Sequence, residues 1–486
     1  MSYFLISAAH KSSGKTTLSI GLCAALTESG SVVQPFKKGP DYIDPMWLSK
    51  ASQRPCHNLD FYTMQQNEIL NTVAKYSKGA DISIIEGNKG LYDGLDLDGS
   101  NSNAALASLL NAPVILVLDA RGMTRGIAPL ILGYQAFGKN INIAGVILNQ
   151  LGGTRHEQKL HSVIEHYTDV KVIGSVYKNS ALSIDERHLG LMPSNEDDSA
   201  DIKINQIRDI IKDQVDLNLL RGIASQTPEI SPPAESKQQL IEINSPLRIG
   251  IIQDAVFGFY YPGDLDAIRA TGAQLVTINA ITNHTLPVID ALFIGGGFPE
   301  TRIKELQANK TLRSQIKQAL EGGLPCYAEC GGLMYLSRQL SWKDQTGEMV
   351  GFLPADCIMH KRPQGRGYVK LLETADHPWN VTDGNVTDDI AIENSKTTQT
   401  DETIASISPE QTIAAHEFHY SALENLELDV KFAYQVKRGS GINGESDGIV
   451  INNTLACYAH LRDTAANRWA TRFISFVQHC KNNRNI

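Results

Sequence analysis

The sequence predicts an α/β protein: a doubly wound parallel sheet built on a phosphate-binding loop, followed by a second α/β domain. Three observations carry this. Short apolar runs alternate with longer helical patterns from the first residues onward. Ala9-His-Lys-Ser-Ser-Gly14-Lys15-Thr16-Thr17 follows the first of these runs. In the second half, Cys326-Tyr-Ala-Glu-Cys330-Gly-Gly-Leu-Met334 ends an apolar run in a tight turn and opens a helix-like one, the form of a nucleophile elbow.

Candidate strands lie at residues 3–8, 31–36, 82–86, 113–119, 143–148 and 170–176, with helical patterns such as 16–29 and 102–110 between them. Apolar runs of strand length separated by helices are the mark of a parallel sheet covered on both faces. A helix over 200–220 closes this unit. Residues 226–246 turn polar and proline-rich, as a linker does. This gives a first domain at 1–225 and a second at 247–486. The second opens with strands at 248–253, 274–278, 291–295 and 325–328. A polar, acidic stretch at 373–409 reads as loops around short strands, and strands resume near 412–416 and 432–436.

Composition narrows the functional classes. A chain of 486 residues exceeds one ordinary core, so two or three domains are expected. Hydrophobic content of 42% and charged content of 20% are those of a soluble globular protein. A formal net charge of −9 argues against a nucleic-acid binder. Seven cysteines without zinc-like pairing fit a reducing compartment. There is no basic leader pattern and no apolar stretch near the ~20 residues a membrane span needs. A cytoplasmic protein without membrane or nucleic-acid partners is expected.

In the phosphate loop, Ala9 stands where the Walker pattern has glycine, but Gly14-Lys15-Thr16 is intact at the helix start. Ser13, Gly14, Lys15, Thr16 and Thr17 can bind phosphate through backbone N–H groups, and Lys15 can reach the terminal phosphates. Thr16 is a Mg²⁺ ligand candidate. Lys37 and Asp41 follow the second strand, and Glu86 ends the third. These are carboxyl ends of parallel strands, where open α/β sheets bind ligands. Lys37 can neutralise phosphate charge, and Asp41 and Glu86 are metal or water-positioning candidates.

Cys330 is the candidate nucleophile, since an elbow places its sulfur at a helix N-terminus and lowers its pKa. Gly296 and Gly297, at the end of the 291–295 strand, and Gly331 can donate backbone N–H groups to an oxyanion. The thiol needs a base. His460, at the end of an apolar strand, is best placed, with His416 and His419 as rivals.

Gly14-Lys-Thr-Thr17, Phe36-Lys-Lys-Gly-Pro-Asp-Tyr-Ile-Asp-Pro45, Asn58-Leu-Asp60, Glu186-Arg-His-Leu-Gly190, Gly295-Gly-Gly-Phe-Pro-Glu300, Ala328-Glu-Cys-Gly-Gly-Leu-Met-Tyr335 and His416-Glu-Phe-His-Tyr-Ser421 occur in this order. Together they closely resemble the cobyrinate a,c-diamide synthases, glutamine- and ATP-dependent amidotransferases of corrin synthesis. The resemblance spans nearly the whole chain. It implies a dethiobiotin-synthetase-like ATP domain followed by a class I glutamine amidotransferase domain. It implies that Cys330 attacks the glutamine carboxamide with His460 as base. Ammonia would then pass to the first domain, where ATP phosphorylates a peripheral carboxylate of a tetrapyrrole. The partners implied are a tetrapyrrole acid, L-glutamine and ATP with Mg²⁺, with no tightly bound organic cofactor; a homodimer stays open. Asp44, Lys89, Asp93, Arg125, Arg187 and His188 are the tetrapyrrole-binding candidates.

Departures from the family pattern bear on the substrate. Corrin enzymes typically read Glu-Gly-Val-Met-Gly where this chain has Glu86-Gly-Asn88-Lys89-Gly90. Triad glutaminases carry a Glu two residues after the histidine; here that position is Arg462, so a Cys–His dyad is expected. Residues 99–103 and 124–129 are also atypical. Sirohaem amidases and nickel-sirohydrochlorin diamide synthases share the scaffold and are the alternative readings. A non-catalytic nucleotide-dependent scaffold is a third, opposed by the intact Cys330, His460 and Gly14-Lys15-Thr16.

Overall fold

The computed structural model describes residues 1–187, 190–197, 199–230, 246–380 and 412–484. His188 and the side chain of Arg187 lie outside the described residues, as do most of the expected linker and most of the polar 373–409 stretch. The chain divides into two compact units, Met1–Gln238 with Tyr261–Gly263, and Gln239–Tyr260 with Asp264–Ile486.

The first unit is a parallel sheet of seven strands: β1 (Tyr3–Ala8), β2 (Val33–Lys38), β3 (His57–Leu59), β4 (Ile82–Glu86), β5 (Val114–Asp119), β6 (Ile143–Leu151) and β7 (Val172–Tyr177). Their order is β3-β2-β4-β1-β5-β6-β7, and every neighbouring pair is parallel. The chain fills one side of β1 and then the other, so the loop after β1 stands at the switch point where open α/β sheets bind ligands. Nearly every residue of β1, β2, β4 and β5 is buried, because helices cover both faces. This is why β1 and β5 read as largely apolar runs, while β2 and β4 end in the charged residues of the site.

The helix expected over 200–220 is two helices, Ala200–Gln214 and Leu217–Ala224. The break has a local cause. Asp216 caps the second helix, its carboxylate accepting from the N–H groups of Asn218 and Leu219 at 3.0 and 2.9 Å. Val215 meanwhile forms an antiparallel bridge with Gly174.

The second unit is organised by a mixed nine-stranded sheet. Strands 274–278, 248–252, 291–294, 326–329 and 454–457 are parallel neighbours in that order. Strands 446–451, 431–438, 365–373 and 413–419 extend the sheet in antiparallel fashion. Cys326–Glu329 is an inner strand, the fourth of the nine, and its carboxyl end opens where ligands bind in such sheets.

One buried side chain fixes the loop after β4. Asn103 opens the helix Asn103–Leu110 and is fully buried. Its Nδ2 lies 3.0 Å from Ser7 Oγ, 2.5 Å from Asn88 O and 2.9 Å from Gly90 O. Its Oδ1 accepts from Asn88 N–H at 3.2 Å. Gly87 has no room for a side chain here, since an added Cβ would stand 2.7 Å from this amide. Asn103→Ala strands several of these buried groups and is expected to lower the unfolding free energy of the first unit by about 2 kcal/mol. Urea unfolding of the variant checks this.

Candidate active sites

The phosphate loop is shaped by two left-handed residues, Ser12 at φ 63° and Gly14 at φ 89°. Gly14 is required on two counts. Its φ suits glycine, and an added Cβ would stand 2.2 Å from Nδ2 of Asn149. That amide donates to Ser13 O at 2.9 Å, tying the loop to the end of β6. Ser13 Oγ donates to His10 O at 2.8 Å. Lys15 and Thr16 then open the helix Lys15–Glu28, with Thr17 half-buried behind them. Burial, reinforced by Lys37, pushes the Lys15 amine down to about 8, against the opposing pull of Glu86, Asp44 and Asp93.

Lys37, at the end of β2, lies beneath the loop. Its buried ammonium donates to Asp44 Oδ2 at 2.5 Å and Glu86 Oε1 at 2.7 Å, with Asp41 at 3.9 Å. Burial alone would lower its pKa, but Asp44, Glu86 and Asp41 outweigh it and raise it. Thr16 Oγ1 reaches the same two acceptors, at 2.8 Å from Glu86 Oε1 and 3.2 Å from Asp44 Oδ2. Against the opposing effect of burial, Lys37 holds Asp44 below the usual carboxylate range. Asp41 serves the backbone as well, accepting from Ile43 N–H at 2.9 Å, and burial together with Asp44 raises its pKa.

A cation fits here. Glu86 is fully buried; its Oε1 accepts from the Thr16 hydroxyl, while its Oε2 has no hydrogen-bond partner. Among the described residues no three His, Cys, Asp or Glu side chains are grouped to hold a metal ion by themselves. One or two carboxylates, a hydroxyl and substrate phosphates are the donor set that Mg²⁺ uses.

The remaining candidates scatter. Asp44 belongs to the Lys37 cluster. Asp93 Oδ2 accepts from Gly90 N–H at 2.9 Å. Lys89 is exposed at φ 28° in a loop tied to β1 by Leu91 N–H donating to Ala8 O at 2.8 Å. Arg125 is exposed, with its guanidinium 5.1 Å from the Tyr167 ring centre. Lys38, next to Lys37 in the sequence, was not singled out, yet it is buried with Nζ 3.4 Å from Asn88 Oδ1. Burial pushes its amine down to about 8.

In the second unit Cys330 stands between the strand Cys326–Glu329 and the short helix Gly331–Leu336, at φ 47° and ψ −100°. This is the strained backbone of an elbow. The Cys330 N–H donates to Cys457 O at 2.8 Å, three residues before His460. Glycines allow the close packing. A Cβ on Gly331 would stand 2.7 Å from Gly297 N, and one on Gly296 would stand 2.7 Å from His460 Cε1. Gly296, Gly297, Gly331, Cys330 and His460 are therefore brought together.

The expected low thiol pKa is corrected. Cys330 is buried, and burial followed by Glu300 raises its pKa, against a smaller lowering by the Gly331 N–H. A six-residue helix does not offset the lost hydration.

His460 is buried, with Nδ1 3.4 Å from Oε2 of Glu329. Glu329 Oε1 accepts from Leu461 N–H at 2.9 Å and from the Tyr327 hydroxyl. His416 pairs with His460 through the backbone and stacks on its ring, centroids 4.9 Å apart. Burial, then His460 and Arg462, holds His416 well below the usual imidazole range. His419 stacks instead on Tyr458 and has Nδ1 2.8 Å from Ser421 O. Glu329 was not singled out from the sequence, although it directly precedes the cysteine.

Residues 248–467 match the family model for the CobB/CobQ-like glutamine amidotransferase domain, and residues 2–185 match that for an AAA domain. A phosphate-loop sheet joined to such a domain defines an ATP-dependent, glutamine-hydrolysing amidotransferase, a carbon–nitrogen ligase. The cobyrinate a,c-diamide synthase of Magnetococcus marinus is 42% identical over 469 residues, covering 96% of this chain and 95% of that one. Those of Methanosarcina acetivorans and Archaeoglobus fulgidus are 39% and 38% identical, each covering 95% of this chain and 92% and 94% of their own. The chain belongs to the cobyrinate a,c-diamide synthase family. Among its described residues no helix is long and apolar enough to cross a membrane.

Lys15 has a testable pH signature. Protonated below about 8, it attracts phosphate, and it loses that charge as pH rises. Binding of a non-hydrolysable ATP analogue to the free enzyme is expected to weaken above pH 8, approaching about tenfold per unit. Calorimetric titration at pH 7, 8 and 9 checks this, with Lys15→Ala showing no comparable step.

Proposed function

We propose that this chain amidates peripheral acetate carboxylates of cobyrinate, using ATP and ammonia drawn from glutamine. The observation that carries this reading is the coexistence in one chain of two sites. One is the Lys15–Thr16–Lys37–Glu86 cluster at a phosphate loop; the other is the Cys330 elbow beside His460. The full-length relatives named for cobyrinate support the substrate.

A carboxylate resists attack because its charge repels nucleophiles. ATP converts it to an acyl phosphate, whose phosphate ammonia can displace. Thr16 and Glu86 would hold Mg²⁺, and the ion would supply charge stabilisation for the phosphoryl oxygens. Lys15 and Lys37 spread the remaining charge, and Asp44 and Asp41 hold Lys37 in place.

At the other site His460 takes the Cys330 proton as sulfur attacks the glutamine carboxamide carbon. The backbone N–H groups of Gly297 and Gly331, with Gly296 beside them, receive the developing oxyanion. His460 returns the proton to the departing nitrogen, releasing ammonia. Water then cleaves the thioester to glutamate and restores the thiol.

Cys330→Ala is expected to abolish glutamine-dependent amidation and to retain amidation with concentrated ammonium salts, while Lys15→Ala loses both. Product mass spectrometry with cobyrinate and sirohaem offered in parallel reads the assay. Loss of both activities in Cys330→Ala assigns the thiol elsewhere, and amidation of sirohaem alone overturns the substrate.

A further inference from the structure

The relation of Glu329 to His460 is left over from the pattern that classifies this glutaminase. The position two residues after His460 carries Arg462 instead of a carboxylate. One arrives from the nucleophile's own strand. We infer that Glu329 is the positioning residue of the glutaminase, holding His460 in the orientation and tautomer that serve Cys330.

Three features of the geometry support it. Glu329 is buried, and its two oxygens are divided between tasks. Oε1 is fixed by Leu461 N–H and the Tyr327 hydroxyl, so the carboxylate cannot swing away. Oε2 faces His460 Nδ1 at 3.4 Å. A carboxylate oxygen accepts, so this contact favours the tautomer with the proton on Nδ1. Tyr327 and Glu329 are two apart on one strand, so their side chains share a face and the hydroxyl meets the carboxylate. The opposite constraint comes from His416, whose ring stacks on His460 at an interplanar angle of 19°. Stacking restrains the plane of the imidazole, and Glu329 restrains rotation within it. The catalytic proton still moves only between Cys330 Sγ and His460; Glu329 gains no proton.

This inference rests on the Cys330–His460 assignment, and the experiment separates the two. Glu329→Gln is expected to lower kcat for glutamine hydrolysis at least about tenfold, the lower part of the range for impaired general-base catalysis. The KM for glutamine should stay within about twofold, and ammonium-dependent amidation should be retained. Labelling of Cys330 by 6-diazo-5-oxo-norleucine, followed by intact mass, should slow by a similar factor. Glu329→Asp, which keeps the charge on a shorter arm, should fall between wild type and Glu329→Gln. A wild-type kcat and labelling rate in Glu329→Gln overturn the inference and leave a dyad. If Glu329→Gln does not fold, a wild-type glutamine kcat in Glu329→Asp overturns it equally. Continued glutamine-dependent activity in Cys330→Ala would instead defeat the underlying assignment.

Discussion

The buried ammonium of Lys37 is the constraint around which the first site is built. A cation out of water requires close compensation, and here Asp44 and Glu86 lie within 2.5 and 2.7 Å. Those two carboxylates come from different places in the chain, so satisfying one charge locks β2, the start of the following helix and β4 together. Thr16 joins by donating to the same oxygens, which fixes the first turn of the helix below the phosphate loop. One oxygen of Glu86 is left unmatched in this cluster. That free oxygen suits a site that receives a further cation along with its phosphate.

The second unit solves a different problem, holding the candidate nucleophile Cys330 in a backbone conformation that side chains disfavour. Hydrogen bonding of Cys330 N–H to Cys457 and close packing of Gly331 and Gly332 against Gly297 and Ile294 keep the turn from relaxing. The same strand pairing delivers His460, because 326–329 and 454–457 are parallel neighbours in register. Elbow and imidazole are thus consequences of one sheet contact.

Much of this was legible in the residues. Parallel strands buried on both faces announce themselves as apolar runs, and Gly14-Lys15-Thr16 and Glu329-Cys330-Gly331 are local patterns. What was hidden depends on distance in the chain. Asp216 could have been read as a helix cap, but the bridge between Val215 and Gly174 that reinforces the break could not. The antiparallel half of the second sheet follows from pairing partners far apart in sequence. The expectation for the Cys330 thiol failed because a local rule about helix ends ignores burial. Glu329 stood beside the cysteine in plain view, yet only the neighbouring strand shows which group it faces.

Burial of Cys330 has a chemical consequence for the resting protein. A thiol held neutral reacts slowly with peroxides and other electrophiles, since the thiolate is the reactive form. The sulfur is therefore sheltered from sulfenic and sulfinic acid formation between turnovers. In the proposed reaction its reactivity returns only when a carboxamide occupies the elbow and the neighbouring imidazole accepts the proton.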